Sequence, residues 1–574
     1  MEIIPKSKEG WNAIKWATVE TSVRKLQKRI YLASKDGDIK KVREFQNYLI
    51  KSYNAKLLAT RHITQDNSGK RTAGIDDIKV LKPTLRMRFA QETKIVGSAS
   101  PLRRVWIPKP GKIEKRPLGI PTMRDRVNQA LFKLALEPEW EAKFEPNSYG
   151  FRPGRKAHDA IKRIYLSIKQ KPKYVLDADI RKCFYGKVID HTKLLNKLGF
   201  CKGKFHKQIK AWLECGVTDQ EIFSRTEAGT PQRGIVSPLL ANIALHGMET
   251  MLKEFVKEIP LRDTLGVIMS REARKQSLSV IRYADDIVVM HFSKDVIIRC
   301  KEKIQDWLAQ LRLELSAENT RITHTLELSE SDKIQFSVEK PGFNFLGFTI
   351  RQFKSKYKSG KLDGINTLIW PSNIKCKTHL EDLGRIIRKC SSLSQEKLIK
   401  KLNPIISGWS RYYGLSDAIT FGTLQKMDYL LYLKLRKWAK RKTKTKASAL
   451  KYWDLSKGKW EFCTKTISLN KYTNYSNSIR SYVKVIGDRS PFDGNEVYWA
   501  SRLGENPLLT KTQATLLKKQ KCRCNLCEQK FVDDDIMEID HVIPLAKGGR
   551  ANYTNIQLVH KHCHDQKSLF IFQP

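Results

Sequence analysis

Apolar residues follow two rhythms along the chain. From residue 10 to 62 they recur at helical spacing, with Trp11, Ile14, Trp16, Val23 and Leu26 set among many Lys and Arg, and this predicts amphipathic helices. The polar segment NSGKRTAG, residues 67–74, breaks that rhythm and reads either as an ordinary turn or as a basic loop laid on a phosphate backbone. From about 86 to 355, β-rich runs alternate with helical ones. KYVLDADI, LSVIRYADDIVVMHF and FNFLGFTI predict strands, while HDAIKRIYLSI and KEKIQDWLAQLRL predict helices. The pattern is that of an α+β domain with a sheet covered on one face. From about 376 to 446 the rhythm is almost entirely helical and ends in a strongly basic helix. The turn-rich GDRSPFDGNEVYW then precedes a Cys/His segment that begins near 519. There is no internal repeat and no long low-complexity tract.

One run breaks the apolar pattern with charge. In IRYADDIVVM, residues 281–290, Asp285 and Asp286 sit inside a β-favouring stretch, where an unpaired buried carboxylate costs on the order of several kcal/mol. SVIRYA and IVVM are predicted to be two strands joined by a tight turn bearing both residues, since a turn can aim adjacent side chains at one locus and a continuous strand cannot. Asp179, at the polar end of the strand in YVLDADIRKCF, is a third candidate. Three carboxylates at strand ends suit two divalent cations, which activate a 3′-hydroxyl and steady the leaving oxygen of an in-line phosphoryl displacement. Mg²⁺ fits this work because it prefers carboxylate oxygens and keeps exchangeable waters. By itself, an Asp-Asp pair is equally a common turn signal.

Composition narrows the partner. Lys and Arg number 107 against 59 Asp and Glu, a formal charge of +48 over 574 residues, and so large an excess calls for a polyanion, of which nucleic acid is the commonest. The length predicts three to five domains at roughly 100 to 200 residues each. Residues 434–446, KLRKWAKRKTKTK, carry eight bases and no acid; a solvated face intersperses acids, so Lys434, Arg436, Lys437, Lys440, Arg441 and Lys442 are expected on phosphates. No apolar run approaches the roughly 18 residues that span a bilayer, and MEIIPKSKEG has no apolar signal core, so no membrane partner is expected.

Of 11 cysteines, seven are scattered between Cys183 and Cys463 and four lie near the C-terminus, which fits reduced thiols plus one metal site. Cys524 and Cys527 form a C-x2-C pair and His560 with Cys563 an H-x2-C pair, the ligand spacing of structural Zn²⁺. Such a small segment needs that staple to fold. Cys522 and His562 compete for the site without the two-residue spacing.

Tyr283-Ala284-Asp285-Asp286 has the YxDD form of reverse transcriptases, and its surroundings resemble group II intron-encoded reverse transcriptase/maturase proteins. The resemblance runs in order through RRVWIPKPGKIEKRPLGIPTMRDRVNQALFKLALEP, FEPNSYGFRPGRKAHDAI, GTPQRGIVSPLLANIALHGME, LELSAENTRITHT and FNFLGFTI, and covers most of the chain. It implies that Asp179, Asp285 and Asp286 hold the catalytic Mg²⁺, that Phe184 is the steric gate selecting dNTPs, that Lys109 and Arg116 contact the triphosphate, and that Gln232 lies beside the incoming nucleotide. Three departures bear on efficiency and fidelity: Arg233 where Gly is usual, FYGKVIDH where an Asp follows Phe184 on a shorter path, and Asn319 where Lys is common. NPIISGWSRYYG, residues 403–414, resembles the signature of the helical maturase X domain, in which Trp409, Tyr412 and Tyr413 are either core or binding residues.

The C-terminal segment resembles an HNH endonuclease. The resemblance implies that His541 takes a proton from water, Asp540 and His564 hold one Mg²⁺ or Mn²⁺, and Asn555 fixes the loop; a zinc-binding DNA module without cleavage is the alternative. The implied architecture is a multidomain α+β protein: right-hand polymerase fingers and palm with an antiparallel sheet, an all-helical thumb, and a small zinc-stapled ββα-metal HNH module. The expected divisions are 1–85 as an N-terminal extension of the fingers, 86–355 as fingers and palm, 356–455 as thumb, 456–518 as a DNA-binding region and 519–574 as the nuclease. The implied function joins RNA-directed DNA polymerase, splicing maturase and DNA endonuclease in retrohoming by target-primed reverse transcription. Its partners would be intron RNA, target DNA and dNTPs, with no obligatory protein partner, in a bacterial cytoplasm. The rival reading is a catalytically inactive RNA-binding splicing cofactor.

Overall fold

The computed structural model describes residues 10–571 apart from 109–114, 170, 182–188, 200–202, 220–221, 225–233, 264, 356–363, 444–449, 455–459, 476, 505, 507–508, 532–534 and 551. The chain is a mixed α/β multidomain protein. Its helical N-terminal region comprises α1 (Trp16–Lys35), α2 (Ile39–Lys51), α3 (Tyr53–Arg61) and α4 (Pro83–Glu92). The buried stripe Val19, Val23 and Ile30 of α1 packs in one core with Val42 and Leu49 of α2, and the Asp38 carboxylate caps α2 by accepting from Lys41 N. Residues 68–71 form a short 3-10 turn capped by Asn67 rather than an open loop.

The middle region begins with β1 (Leu102–Pro108) and β2 (Lys115–Ile120) and continues through α5 (Met123–Glu141), α6 (Ala157–Ile168), β3 (Tyr174–Asp179), α7 (His191–Leu198) and α8 (Lys204–Glu214). It goes on through β4 (Val217–Asp219), β5 (Ile222–Ser224), α9 (Ser237–Ala244), α10 (Met248–Glu258), α11 (Arg271–Ser277), β6 (Ser279–Tyr283), β7 (Asp286–His291), α12 (Lys294–Gln310) and β8 (Arg321–His324). After α13 (Glu330–Phe336) come β9 (Phe343–Phe345), β10 (Phe348–Ser355) and β11 (Gly364–Pro371). The central sheet has the order β6-β7-β3-β8 and is antiparallel throughout. A second sheet, β2-β1-β4-β5, is mixed, because β1 pairs parallel with β4.

The central sheet is covered on both faces, not one. Leu176, Ala178, Val280, Ile287 and Val289 enter one core, and Val175, Ile281, Val288 and Met290 enter another. That is why VIRYADDIVVM reads as a nearly continuous apolar run instead of alternating with polar residues.

Three long helices follow, α14 (Asn373–Lys389), α15 (Gln395–Tyr413) and α16 (Thr423–Thr443), packed around Leu383, Leu398, Leu402 and Leu431. Tyr413 is buried, while Trp409 and Tyr412 are half-buried against the same cores: Trp409 stacks on His379 with ring centroids 5.0 Å apart, and the Tyr412 hydroxyl donates to Leu346 O. Beyond β12 (Trp453–Asp454) and β13 (Glu461–Phe462), the chain divides its packing. Trp453, Phe462 and Tyr472 join the three-helix core, whereas Ile479, Tyr482 and Val485 join the core of the central sheet. From α17 (Glu496–Gly504), Arg502 donates at 2.7 Å to both carboxylate oxygens of the fully buried Asp159 on α6.

After α18 (Lys511–Lys519), the last segment is a ββα unit of β14 (Met537–His541), β15 (Ile556–His560) and α19 (Lys561–Ile571). It rests on the N-terminal helices: Gln566 donates to Asn12 O and Ile14 O at 3.1 Å each, and His562 faces Glu20 at 3.7 Å. Among the described residues, no helix is long and apolar enough to cross a membrane.

Candidate active sites

The first site forms where β3 and β7 meet. Tyr283 pairs with Asp286, leaving Ala284 and Asp285 as a two-residue loop, so Asp286 opens β7 and does not belong to the turn. Ala284 takes φ of 61°, the positive value that primed hairpin turns require. The tip is clamped from outside. Arg282 Nη1 donates to Ala284 O at 3.2 Å, and a Cβ at Gly150 would lie 2.4 Å from Ala284 N, so only glycine admits this approach.

In this geometry Asp286 stands opposite Asp179 in the ladder, with Asp285 next to it on the loop. Asp177 lies two residues before Asp179 on β3 and shares its face. Burial pushes the Asp286 carboxyl up to about 7, and the negative charges of Asp285, Asp179 and Asp177 push it the same way. Burial also raises Asp177 to about 6, against the Arg321 guanidinium 3.2 Å away. Asn319 Nδ2 donates to Asp179 Oδ2 at 2.9 Å. Four carboxylates crowded at one sheet end make a donor set of hard oxygens that suits a divalent ion. Asp179, Asp285 and Asp286 are nevertheless not among the described groups whose ligand atoms all lie within 4.8 Å of one another.

Two such groups do occur, both in the ββα unit. Cys524, Cys527, His560 and Cys563 converge on one point. His560 Nδ1 lies 3.3 Å from Cys527 Sγ, and its Nε2 meets Asp535 Oδ2 at 3.1 Å, the carboxylate contact that orients a ligating imidazole. The Cys524 thiol is lowered by hydrogen bonds from Cys527 and Cys563. This set of three sulfurs and one imidazole nitrogen fits structural zinc. Cys522 instead faces Ala500 O, and His562 stacks parallel on His560 toward Glu20, so neither competitor joins the cluster.

The second group is Glu538, His564 and Asp565. His564 Nδ1 meets Glu538 Oε2 at 2.6 Å, and its Nε2 lies 3.6 Å from Asp540 Oδ1. The ring thus bridges two acids that share one face of β14. Asp540 is buried and receives Gln557 Nε2 at 2.8 Å and Lys567 Nζ at 2.7 Å. His541 ends β14 and is half-buried. Asn555 accepts from Ile543 N at 2.8 Å and donates to Ile543 O and Arg550 O at 2.9 Å each, which closes the loop between the strands.

Four residues were overlooked in the sequence: Asp177, Glu538, Asp565 and Lys567. Asp177 and Glu538 each stand two positions before a chosen Asp on a strand, so the two-residue period would have found them. Lys109, Phe184, Gln232 and Arg233 lie outside the described residues, and Arg116 pairs with Ile107 on β2 while its side chain lies outside them too. Lys434, Arg436, Lys437, Lys440, Arg441 and Lys442 lie on α16, whose one acid, Asp428, is bonded to the Tyr472 and Thr473 amides.

The chain matches four families: reverse transcriptase (RNA-dependent DNA polymerase) over residues 107–350, the N-terminal domain of reverse transcriptase over 11–93, the group II intron maturase-specific domain over 376–460, and HNH endonuclease over 524–569. It is 29% identical over 341 residues to protein YkfC of Escherichia coli K12, covering 54% of this chain and 84% of that protein. To the group II intron-encoded protein LtrA of Lactococcus lactis subsp. cremoris it is 28% identical over 426 residues, covering 63% of this chain and 68% of that one. To maturase-like protein 1 of Euglena gracilis it is 26% identical over 432 residues, covering 72% and 79%.

Proposed function

From the premise that this chain belongs to the group II intron-encoded reverse transcriptase/maturase proteins with a C-terminal HNH endonuclease, we propose how its sites divide the work. The chain is a multifunctional group II intron protein, with a polymerase, a maturase and an endonuclease domain. In our reading, residues 1–85 and 86–355 form fingers and palm, 356–455 the thumb, 456–518 a DNA-binding region and 519–574 the nuclease.

Asp179, Asp285 and Asp286 offer their oxygens at the end of the central sheet, where the primer terminus and the dNTP phosphates meet. Bound Mg²⁺ supplies positive charge there to favour the 3′-alkoxide and the leaving pyrophosphate. Lys109 and Arg116 grip the triphosphate, Phe184 turns away a 2′-hydroxyl, and Gln232 borders the incoming base. At the C-terminus, Cys524, Cys527, His560 and Cys563 hold Zn²⁺ as a staple. His541 accepts the proton of the attacking water, Asp540 and His564 hold Mg²⁺ or Mn²⁺, and Asn555 keeps the loop shut. Nuclease cleavage of target DNA leaves the 3′-hydroxyl from which the polymerase copies intron RNA. Lys434, Arg436, Lys437, Lys440, Arg441 and Lys442 bind that RNA, and the complex works in a bacterial cytoplasm.

The observation that carries the polymerase assignment is the register of Asp179 opposite Asp286, with Asp285 at the hairpin tip. An inactive splicing cofactor is not favoured, because it has no need of four carboxylates crowded at one sheet end. Primer extension on an RNA template tests the reading: dNTP incorporation that needs Mg²⁺ and vanishes in Asp285→Ala supports it, and no incorporation by the native chain refutes it. Intron splicing at low Mg²⁺ tests the maturase role, which equal rates with and without protein would remove.

A further inference from the structure

The outward face of β10 and β11 departs from what a solvated sheet surface carries. Thr349 pairs with Trp370, Arg351 with Leu368 and Phe353 with Asn366, so Arg351, Phe353, Leu368 and Trp370 all lie on that face. Phe421, just before α16, covers Trp370 with ring centroids 4.2 Å apart and planes 33° apart, and also lies 5.9 Å from Phe353. Arg351 stands 4.8 Å over the Phe353 ring, with its Nε buried and without a hydrogen-bond partner among the described residues. Phe421 is still 40% exposed.

Beside this stack, a cavity of about 720 Å³ opens between α14 and α16, within the size range of small-ligand sites. Trp370, Phe421 and several apolar residues of α14 and α16 line it, and Lys377, Lys426, Lys434 and Lys437 join that lining. Glu381 is its one acid. Four ammonium groups around aromatic faces match the chemistry of an unpaired nucleotide, whose base is a flat π-surface and whose flanking phosphates are anionic. A duplex hides its base faces, and an acidic peptide has nothing to stack.

We propose that this cavity binds one unpaired nucleotide of single-stranded RNA, its base on the exposed Phe421 beside Trp370 and its neighbouring phosphates on the four lysines. The proposal rests on RNA being the partner of this region and names the form of RNA that it reads. It adds Trp370, Phe421, Lys377 and Lys426 to the basic helix as contacts.

The test uses the full chain with a fluorescent 12-nucleotide single-stranded RNA bearing one 4-thiouridine, and a 12-base-pair RNA duplex for comparison. Base stacking on an aromatic is worth roughly 1–3 kcal/mol, so Phe421→Ala is expected to weaken the single strand by about 10-fold and the duplex by less than 2-fold. Phe421→Tyr is expected to restore binding. Lys426→Glu with Lys437→Glu is expected to lower the salt-dependence slope by about 1.4, at roughly 0.7 per phosphate contact. Crosslinks are expected on the peptides containing Trp370 or Phe421. Unchanged single-strand affinity in Phe421→Ala, an equal loss for the duplex, displacement by poly-glutamate as effective as by RNA, or crosslinks solely elsewhere would each overturn the proposal. The oligomer carries no intron, so such a failure leaves the splicing test of the maturase role untouched.

Discussion

Asp286 stands in register opposite Asp179, and Ile180 N, just past the end of β3, donates to Asp285 O at 3.2 Å, so backbone pairing brings the carboxylates together. Removing one charge therefore leaves the frame intact. Asp286→Ala is expected to fold and to lose at least about 100-fold in dNTP incorporation, in line with the several kcal/mol that a catalytic cation contributes. Because burial and three neighbouring acids oppose its ionisation, Asp286→Asn is expected to melt higher than the native chain in EDTA at pH 8. Thermal melts with and without Mg²⁺ check this: the ion should raise the native Tm more than that of the variant.

Glu20 connects the N-terminal helices to the nuclease unit. It is buried with Arg61 at 2.7 Å and His562 at 3.7 Å. Burial raises its pKa, but Arg61, His562 and Arg24 outweigh burial and hold it at about 2, below the ordinary 4.5. A carboxylate depressed on folding stabilises fully above its unfolded pKa and loses that contribution as pH falls through the folded one. Glu20→Gln is thus expected to cost up to about 3 kcal/mol near neutral pH, because the buried Arg61 then keeps only Asp66, 3.2 Å away, as a charge partner. The gap to the native chain should shrink between pH 4.5 and 2. Denaturant melts followed by hydrogen exchange in α1 would measure it; a gap independent of pH contradicts the assignment.

Zinc is expected to hold the last segment in place. Cys563 and His564 are adjacent on α19, so the staple and the nuclease site share a helix. Cys527→Ser, or chelation, is expected to open residues 519–571 to protease and to abolish DNA cleavage while polymerase activity persists. Structural zinc contributes roughly 10–16 kcal/mol in small modules, so partial opening is not expected. Cobalt substitution should give the visible absorption of a tetrahedral site with three thiolates and one imidazole.

The order of elements was legible because each carried its own local signal. The helical stripe of α1, the apolar runs of β3 and β7 and the Cys/His spacing each follow from period or ligand chemistry. What the sequence hid was long-range. Whether the central sheet has one covered face or two depends on Phe343 and Ile369, distant residues that pack behind Val288. The zinc set was legible as two C-x2-C-like pairs, but Asp535, which orients His560, has no spacing rule. Likewise, nothing local in EIDHVIP says that Glu538 shares His564 with Asp540, since that depends on where α19 crosses the hairpin.

His541 is expected to act in cleavage alone. His541 closes β14, and its carbonyl accepts from Lys567, so the backbone keeps its place when the ring is removed. His541→Ala should lower cleavage of target DNA by about 100- to 10,000-fold, the usual loss for a general base. Incorporation of dNTPs on an added primer should remain unchanged. Equal loss of both activities would mean that the change disturbs the fold and not one site.

The Asp159–Arg502 pair ties α17 to α6, and its buried environment sets the sign of the outcome. Asp159 also accepts from Val485 N and Lys156 N at 2.7 Å, so its charge is surrounded by donors, while Arg502 Nη1 donates to Gly154 O. Arg502→Leu leaves the carboxylate buried without its guanidinium and is expected to cost about 3–5 kcal/mol. Asp159→Leu with Arg502→Leu replaces both charges by apolar volume and should be less destabilised than either single variant, because neither ion is then left uncompensated. Hydrogen exchange across residues 479–504 separates the cases. The single variant should release that segment while the central sheet stays protected, and the double variant should re-protect it. Additive losses would mean that the two side chains do not act as a pair.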